Sequence, residues 1–118
     1  MNTELMTVIA SATTSAKNVY DLANQMVNKR KGNYLITRGE LKMLEVAISR
    51  TIERERMSAR HELGNTYITY MKESFENVKG IDVNSTLGLI LLQEIRDEAQ
   101  SYMEYLHDFN HLTNFRGI

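Results

Sequence analysis

The chain contains no proline, and one apolar stripe runs through its first quarter. Proline disrupts the interior of a helix, and its absence allows long uninterrupted helices. The steps of the stripe alternate between four and three residues, which keeps its side chains on one side of an α-helix. Its members are Leu5, Ile9, Ala12, Ala16, Val19, Ala23 and Met26. This pattern predicts an all-α protein with coiled-coil-like helix packing.

Length and composition favour one globular domain over residues 1–118. Apolar residues make up 42% of the chain and charged residues 25%, which is typical of a packed core with a solvated surface. Fourteen Lys and Arg face fifteen Asp and Glu, giving a net charge of −1. Nucleic-acid binding needs excess positive charge, so a nucleic-acid partner is not expected. The absence of cysteine excludes disulfides, thiolate metal sites and cysteine nucleophiles, and no cofactor is predicted.

No segment is apolar over a length that would span a bilayer. The longest apolar run, Leu87 to Leu92, is interrupted by Gly88 and is far shorter than the ~20 residues that a span requires. The amino terminus has no basic cluster of the kind that precedes a signal-peptide core. We therefore expect a cytoplasmic protein without membrane contact.

Local signals divide the chain into helices. The first helix is predicted from Thr3 to about Arg30, because three basic residues and Gly32 favour a helix end. The second begins at a capping box, in which the Thr37 side chain would bond the Glu40 amide and the Glu40 side chain would bond the Thr37 amide. Ile36 and Leu41 flank this box at the spacing of a hydrophobic staple.

A third boundary precedes the last predicted helix, which runs to about Asn110. Gly80 stands where a left-handed residue would close the preceding helix in a Schellman arrangement with Ile81. Three residues then compete to cap the last helix, namely Asp82, Asn84 and Ser85.

The extent of the second helix is open. Its apolar phase carries through from Ala59 to Leu63, which favours one helix from Thr37 to Lys79 and so three long helices in total. Gly64 is followed by Asn65 and Thr66, and these residue types favour helix ends, so a split near Gly64 would give four helices.

The apolar stripes of the first and last helices are wider than a single packing seam, so each must contact more than one neighbour. An antiparallel bundle that is shared between two copies of the chain satisfies this, and we predict a homodimer. The alternative is a monomeric four-helix bundle that is broken at Gly64.

One hexapeptide carries a resemblance to a known family. Residues 60–65, Arg-His-Glu-Leu-Gly-Asn, resemble the phospho-acceptor box of sensor histidine kinases. The resemblance implies that His61 accepts a phosphoryl group, Glu62 acts as base and Asn65 assists dephosphorylation. The proline usual in that box is missing, and the sequence has no glycine-rich nucleotide box. The alternative is that His61 is a solvated residue among charged neighbours.

Glu104, His107 and His111 share one helical face near the end of the chain. Histidines four residues apart have metal-ligand spacing, and Glu-x-x-His is half of the di-iron motif of carboxylate bundles. A second copy of that motif is missing from the sequence. Histidines near a helix carboxyl end also interact favourably with the helix dipole, and this is the alternative interpretation.

The second helix carries a run of arginines interleaved with carboxylates. Arg50 and Arg54 share a face and could contact an acidic partner, although Glu53 and Glu55 favour salt bridges within the helix. Tyrosines and methionines can supply a pliable binding surface. The predicted partner-binding residues are Arg50, Arg54, Met57, Tyr67 and Tyr70.

These observations lead to a functional prediction by elimination. The sequence has no phosphate-binding glycine loop and no defensible nucleophile–base set, so we lean against an enzyme. We predict a small interaction or regulatory protein, of the adaptor, inhibitor, chaperone or assembly-factor kind. The alternative functions are histidine phosphotransfer through His61 and metal binding in the bundle.

Overall fold

The computed structural model describes the backbone of residues 3–57 and 64–116 and the side chains of residues 7–57 and 64–108. Within these residues the chain forms four α-helices and no β-strand. The helices are α1 (Thr3–Lys31), α2 (Arg38–Met57), α3 (Asn65–Lys79) and α4 (Thr86–Arg116). None of them has an apolar window long enough to cross a membrane, over the part of the chain described.

The prediction of three long helices is wrong, and the split near Gly64 is what the structure contains. Gly64 has φ 67° and ψ 29°, a left-handed conformation that cannot continue a right-handed helix. Lys79 at the end of α3 lies 3.1 Å from the Glu45 carboxylate near the start of α2. In one continuous helix these residues would be ~50 Å apart at ~1.5 Å per residue. The chain therefore reverses between α2 and α3.

The four helices pack as an up-down-up-down bundle with principal extents of 51 × 22 × 20 Å. Helix α1 lies between α2 and α4, and α3 completes the ring by packing on α4 and less extensively on α2. Bonds between neighbours show their antiparallel order. Lys29 pairs with Glu40 at 2.6 Å across α1 and α2, and the Ser74 hydroxyl lies 3.5 Å from the Glu94 carboxylate across α3 and α4.

The core is built from the apolar faces that the stripes predicted. The fully buried alanines of α1 let α4 approach, and Tyr102 and Leu106 of α4 are fully buried as well. Closing the ring with α3 satisfies the wide stripes inside a single chain, which removes the packing reason for a second copy. The homodimer remains a prediction.

The helix ends are set by local hydrogen bonds. The capping box is confirmed: the Glu40 amide donates to Thr37 Oγ1 at 3.1 Å, and the Thr37 amide donates to Glu40 Oε1 at 3.2 Å. Ser85 caps α4 by accepting a hydrogen bond from the Gly88 amide at 3.1 Å. The Schellman prediction is wrong, because Gly80 has φ −87° and its amide bonds the Asn77 carbonyl. Helix α4 also continues past Asn110, to Arg116.

Candidate protein-binding surface on α2

A stripe of side chains runs along the outer face of α2 and is exposed from end to end. Its members follow one another at steps of three and four residues, the spacing that keeps them on one face. We call it the α2 stripe, and it consists of Met43, Val46, Arg50, Arg54 and Met57. Met43 is 57% exposed and Met57 is 68% exposed, which is high for apolar side chains on a helix of a folded bundle.

The α2 stripe faces outward because the opposite face of α2 carries the side chains that pack into the core. These residues are all buried, and they are Leu44, Ala47, Ile48, Thr51 and Glu55. The set contains a threonine and a glutamate, and each forms a hydrogen bond. The Thr51 hydroxyl donates to the Ala47 carbonyl at 2.9 Å, and Glu55 accepts a hydrogen bond from Tyr102 at 2.6 Å.

The hydrogen bond between Glu55 and Tyr102 links α2 to α4 and raises the pKa of the tyrosine hydroxyl. It joins one oxygen of the buried Glu55 carboxylate to a side chain of α4. Burial, and then this hydrogen bond, raise the pKa of the Tyr102 hydroxyl above its ordinary value, so the hydroxyl remains a donor. A hydrogen bond to a carboxylate in a core is about twice as strong as a neutral one.

The salt bridges predicted for the arginines of the stripe are not formed among the described residues. Among the described residues, Arg50 and Arg54 form no ion pair, and Glu53 forms none either. Both arginines line a groove of about 450 Å³ between α1 and α2. On the other side of this groove Lys17 is already paired with Asp21 at 2.9 Å. The middle of the α2 stripe therefore carries two cations that form no ion pair among the described residues.

The two tyrosines predicted to join this surface lie elsewhere. Tyr67 is half-buried, and its ring lies 5.6 Å from that of Tyr105 and 6.2 Å from that of Tyr102, centroid to centroid. It lines a groove between α2 and α3 of about 1230 Å³. Tyr70 is half-exposed on α3. The structure brings Arg50, Arg54 and Met57 onto one face but does not bring the tyrosines to it.

Sequence reasoning missed Met43 and Val46, which complete the α2 stripe. Their signal is present in the sequence. Both residues lie off the buried Leu44–Ile48 face and continue at helical spacing to Arg50 and Met57. An apolar pair that is out of phase with the core stripe indicates an exposed apolar patch.

The two alternative sites are described only in part. His61 and Glu62 lie outside the described residues, and Asn65 is exposed as the first residue of α3. Glu104 and His107 are exposed on α4, whereas the side chain of His111 is outside the described set. Over the residues that the structure describes, no group of three His, Asp or Glu side chains could hold a metal ion.

Comparisons with known proteins give no family for this chain. No protein-family model, no curated protein and no solved structure matches it. Its function is therefore argued from the residues themselves.

Proposed function

We propose that this chain is a non-catalytic interaction protein that binds a helix of another protein along the α2 stripe. The observation that carries this proposal is the combination of exposed methionines and valine with two arginines that pair with no described carboxylate. Helix-in-groove recognition uses anchors at this spacing. Methionine is an adaptable contact residue, and arginine is enriched at binding surfaces.

The chemistry of the stripe specifies its partner. A helix that lies along α2 must bring apolar side chains to Met43, Val46 and Met57 and carboxylates to Arg50 and Arg54. The partner is therefore an amphipathic helix with acidic residues between its apolar anchors. Opposite charges at a contact set the register and speed the encounter.

A second copy of the chain is a poor occupant of the same stripe. A two-fold interface uses the same patch on both subunits. Whether the two α2 helices ran parallel or antiparallel, such pairing would place the arginines at the centre of one stripe against those of the other. Like charges opposed in a contact are destabilising, so a different protein suits the stripe better.

A designed peptide tests this proposal directly. It is a helix of about 18 residues, or five turns, with leucines facing the apolar members of the stripe and glutamates facing its arginines. The comparison peptide has lysines in place of those glutamates. Fluorescence anisotropy measures binding of both, and we expect the acidic peptide to bind at least about tenfold more tightly, with a preference that weakens as salt is added.

Charge-reversed variants identify the surface used. In Arg50→Glu/Arg54→Glu the preference should invert, so that the lysine peptide binds more tightly. The control Lys31→Glu/Arg38→Glu makes the same change of charge off the stripe, at two other exposed positions, and should keep the original preference. Equal binding of the two peptides, or an equal response of both variants, would overturn the proposal.

A further inference from the structure

The connection between α1 and α2 presents two apolar side chains at one end of the bundle. Tyr34 is 68% exposed and Leu35 is 67% exposed, whereas the next residue, Ile36, is buried. We call residues 32–37 the Tyr-Leu loop. Two adjacent, strongly exposed apolar residues on a loop cost solvation free energy, and sequence analysis gave them no role.

The loop is held in a fixed conformation by the opposite connection. Asn84, between α3 and α4, accepts a hydrogen bond from the Ile36 amide at 2.7 Å and donates one to the Ile36 carbonyl at 3.2 Å. Arg30 donates to the Asn84 carbonyl at 2.6 Å and to the Tyr34 carbonyl at 3.2 Å. Tyr34 and Leu35 are therefore displayed by an ordered backbone, and a ligand need not supply the entropy of ordering it.

The chain around the loop is strongly basic, although the whole protein has a net charge of −1. Residues 29–40 hold four cations and one carboxylate, Glu40, which is bonded to Lys29. Lys31 and Arg38 are exposed and form no ion pair among the described residues. The connection between α3 and α4 adds one carboxylate at this end, Asp82.

The size of the apolar tip decides between two kinds of occupant. A stable protein interface buries about 800 Å² on each partner, far more than one Tyr and one Leu can supply. Binding to a bilayer surface requires a smaller apolar area. A short apolar projection enters the boundary between headgroups and acyl chains, Tyr is favoured at headgroup depth, and surrounding Lys and Arg attract anionic lipids.

We propose that the Tyr-Leu loop binds the surface of an anionic lipid bilayer, with Leu35 and the Tyr34 ring inserted and with Lys31 and Arg38 facing lipid headgroups. This role is independent of the α2 stripe. The expectation of no membrane contact rested on the lack of a spanning segment, which does not bear on a loop that enters only the interface.

A tryptophan reporter tests the insertion. The chain has no tryptophan, so Leu35→Trp provides a sole reporter. We expect its emission to shift to the blue with vesicles of phosphatidylcholine and phosphatidylglycerol in equal parts, and not with phosphatidylcholine alone. Met57→Trp is the matched control, since Met57 is as exposed as Tyr34 but lies at the far end of α2, and its emission should not move.

Vesicle co-sedimentation then separates the apolar and electrostatic contributions. Tyr34→Ser/Leu35→Ser should abolish most of the binding, and Lys31→Glu/Arg38→Glu should weaken it at least about fivefold per charge. The controls Met43→Ser/Val46→Ser and Arg50→Glu/Arg54→Glu make equivalent changes on the α2 stripe and should bind as the parent chain does. An unshifted Leu35→Trp spectrum, or binding that survives removal of Tyr34 and Leu35, would overturn the proposal.

Discussion

Gly64 precedes α3 in a left-handed backbone conformation, with φ 67° and ψ 29°. Its left-handed backbone is one that residues with a Cβ adopt at a cost, and a Cβ placed there would collide with the ring of Tyr102. The ring cannot move aside, because Tyr102 is fully buried and hydrogen-bonded to Glu55. Glycine therefore suits position 64 for two reasons: it adopts the left-handed conformation, and it has no Cβ to collide with Tyr102.

We expect Gly64→Ala to lower the free energy of unfolding by about 2–4 kcal/mol, since it adds backbone strain to an overpacked contact. Urea unfolding followed by circular dichroism measures this change. Gly39→Ala is the matched control, because its Cβ would meet only Thr37 Oγ1 at 3.8 Å within α2. There alanine should stabilise the chain by about 0.5–1 kcal/mol. Equal effects of the two substitutions would contradict this account of Gly64.

At the scale of the element, the capping residue Glu40 at the start of α2 also contacts α1. Glu40 closes the capping box with Thr37 and also receives the ammonium of Lys29, 2.6 Å away on α1. The pKa of the Glu40 carboxyl is lowered, chiefly by that hydrogen bond from Lys29. The cap therefore fixes both the first turn of α2 and its placement against α1.

Thr37→Ala should remove the side-chain acceptor of the Glu40 amide and lower the free energy of unfolding by about 1 kcal/mol. Thermal unfolding at neutral pH measures the loss, and amide hydrogen exchange should show faster opening in the first turn of α2. Ser49→Ala is the control, because Ser49 is an exposed residue of the same helix with no side-chain hydrogen bond among the described residues. A loss as large in Ser49→Ala would mean that the capping box contributes nothing particular.

At the scale of the whole molecule, carboxylates tie successive helices together. Glu40 joins α1 to α2, and Glu45 joins α2 to α3 by accepting Lys79 as well as its neighbour Lys42. Hydrogen bonds from Lys42 and then Lys79 lower the pKa of Glu45. Glu98 on α4 differs, since burial and then the nearby carboxylates raise its pKa.

These directions set the response to acid. A carboxyl whose pKa is lowered by folding stabilises the protein above its unfolded pKa, near 4.5 here, and the stabilisation is lost as pH falls through the folded value. Glu98 acts in the opposite sense, adding stability below its unfolded pKa. We expect the free energy of unfolding to fall between about pH 5 and pH 3, with a shallower fall in Glu40→Gln/Glu45→Gln and a steeper one in Glu98→Gln. Urea titrations across this range measure the slopes, and a double variant with the parent's slope would refute the assignment.

The candidate surfaces were only partly visible in the sequence. Arg50, Arg54 and Met57 share a helical face, so their grouping follows from spacing alone. Spacing does not show that Arg50 and Arg54 form no ion pair among the described residues, nor that Glu55 hydrogen-bonds a tyrosine 47 positions further along the chain. The order of the Tyr-Leu loop likewise depends on Asn84, which is 48 positions from Ile36.

Local chemistry and helical periodicity determined the all-α class, the length of α1, the start of α2 and most of the core, because these depend on residues within a few turns of one another. Tertiary structure decided where the chain reverses. The cost of the left-handed conformation at Gly64 is local, but the gain comes when Ile68, Met71, Phe75 and Val78 of α3 are buried in the bundle, where α3 packs on α4 and α2. Tertiary structure also decided which polar side chains form hydrogen bonds across the bundle and which stay exposed, because the local sequence around these side chains does not distinguish them.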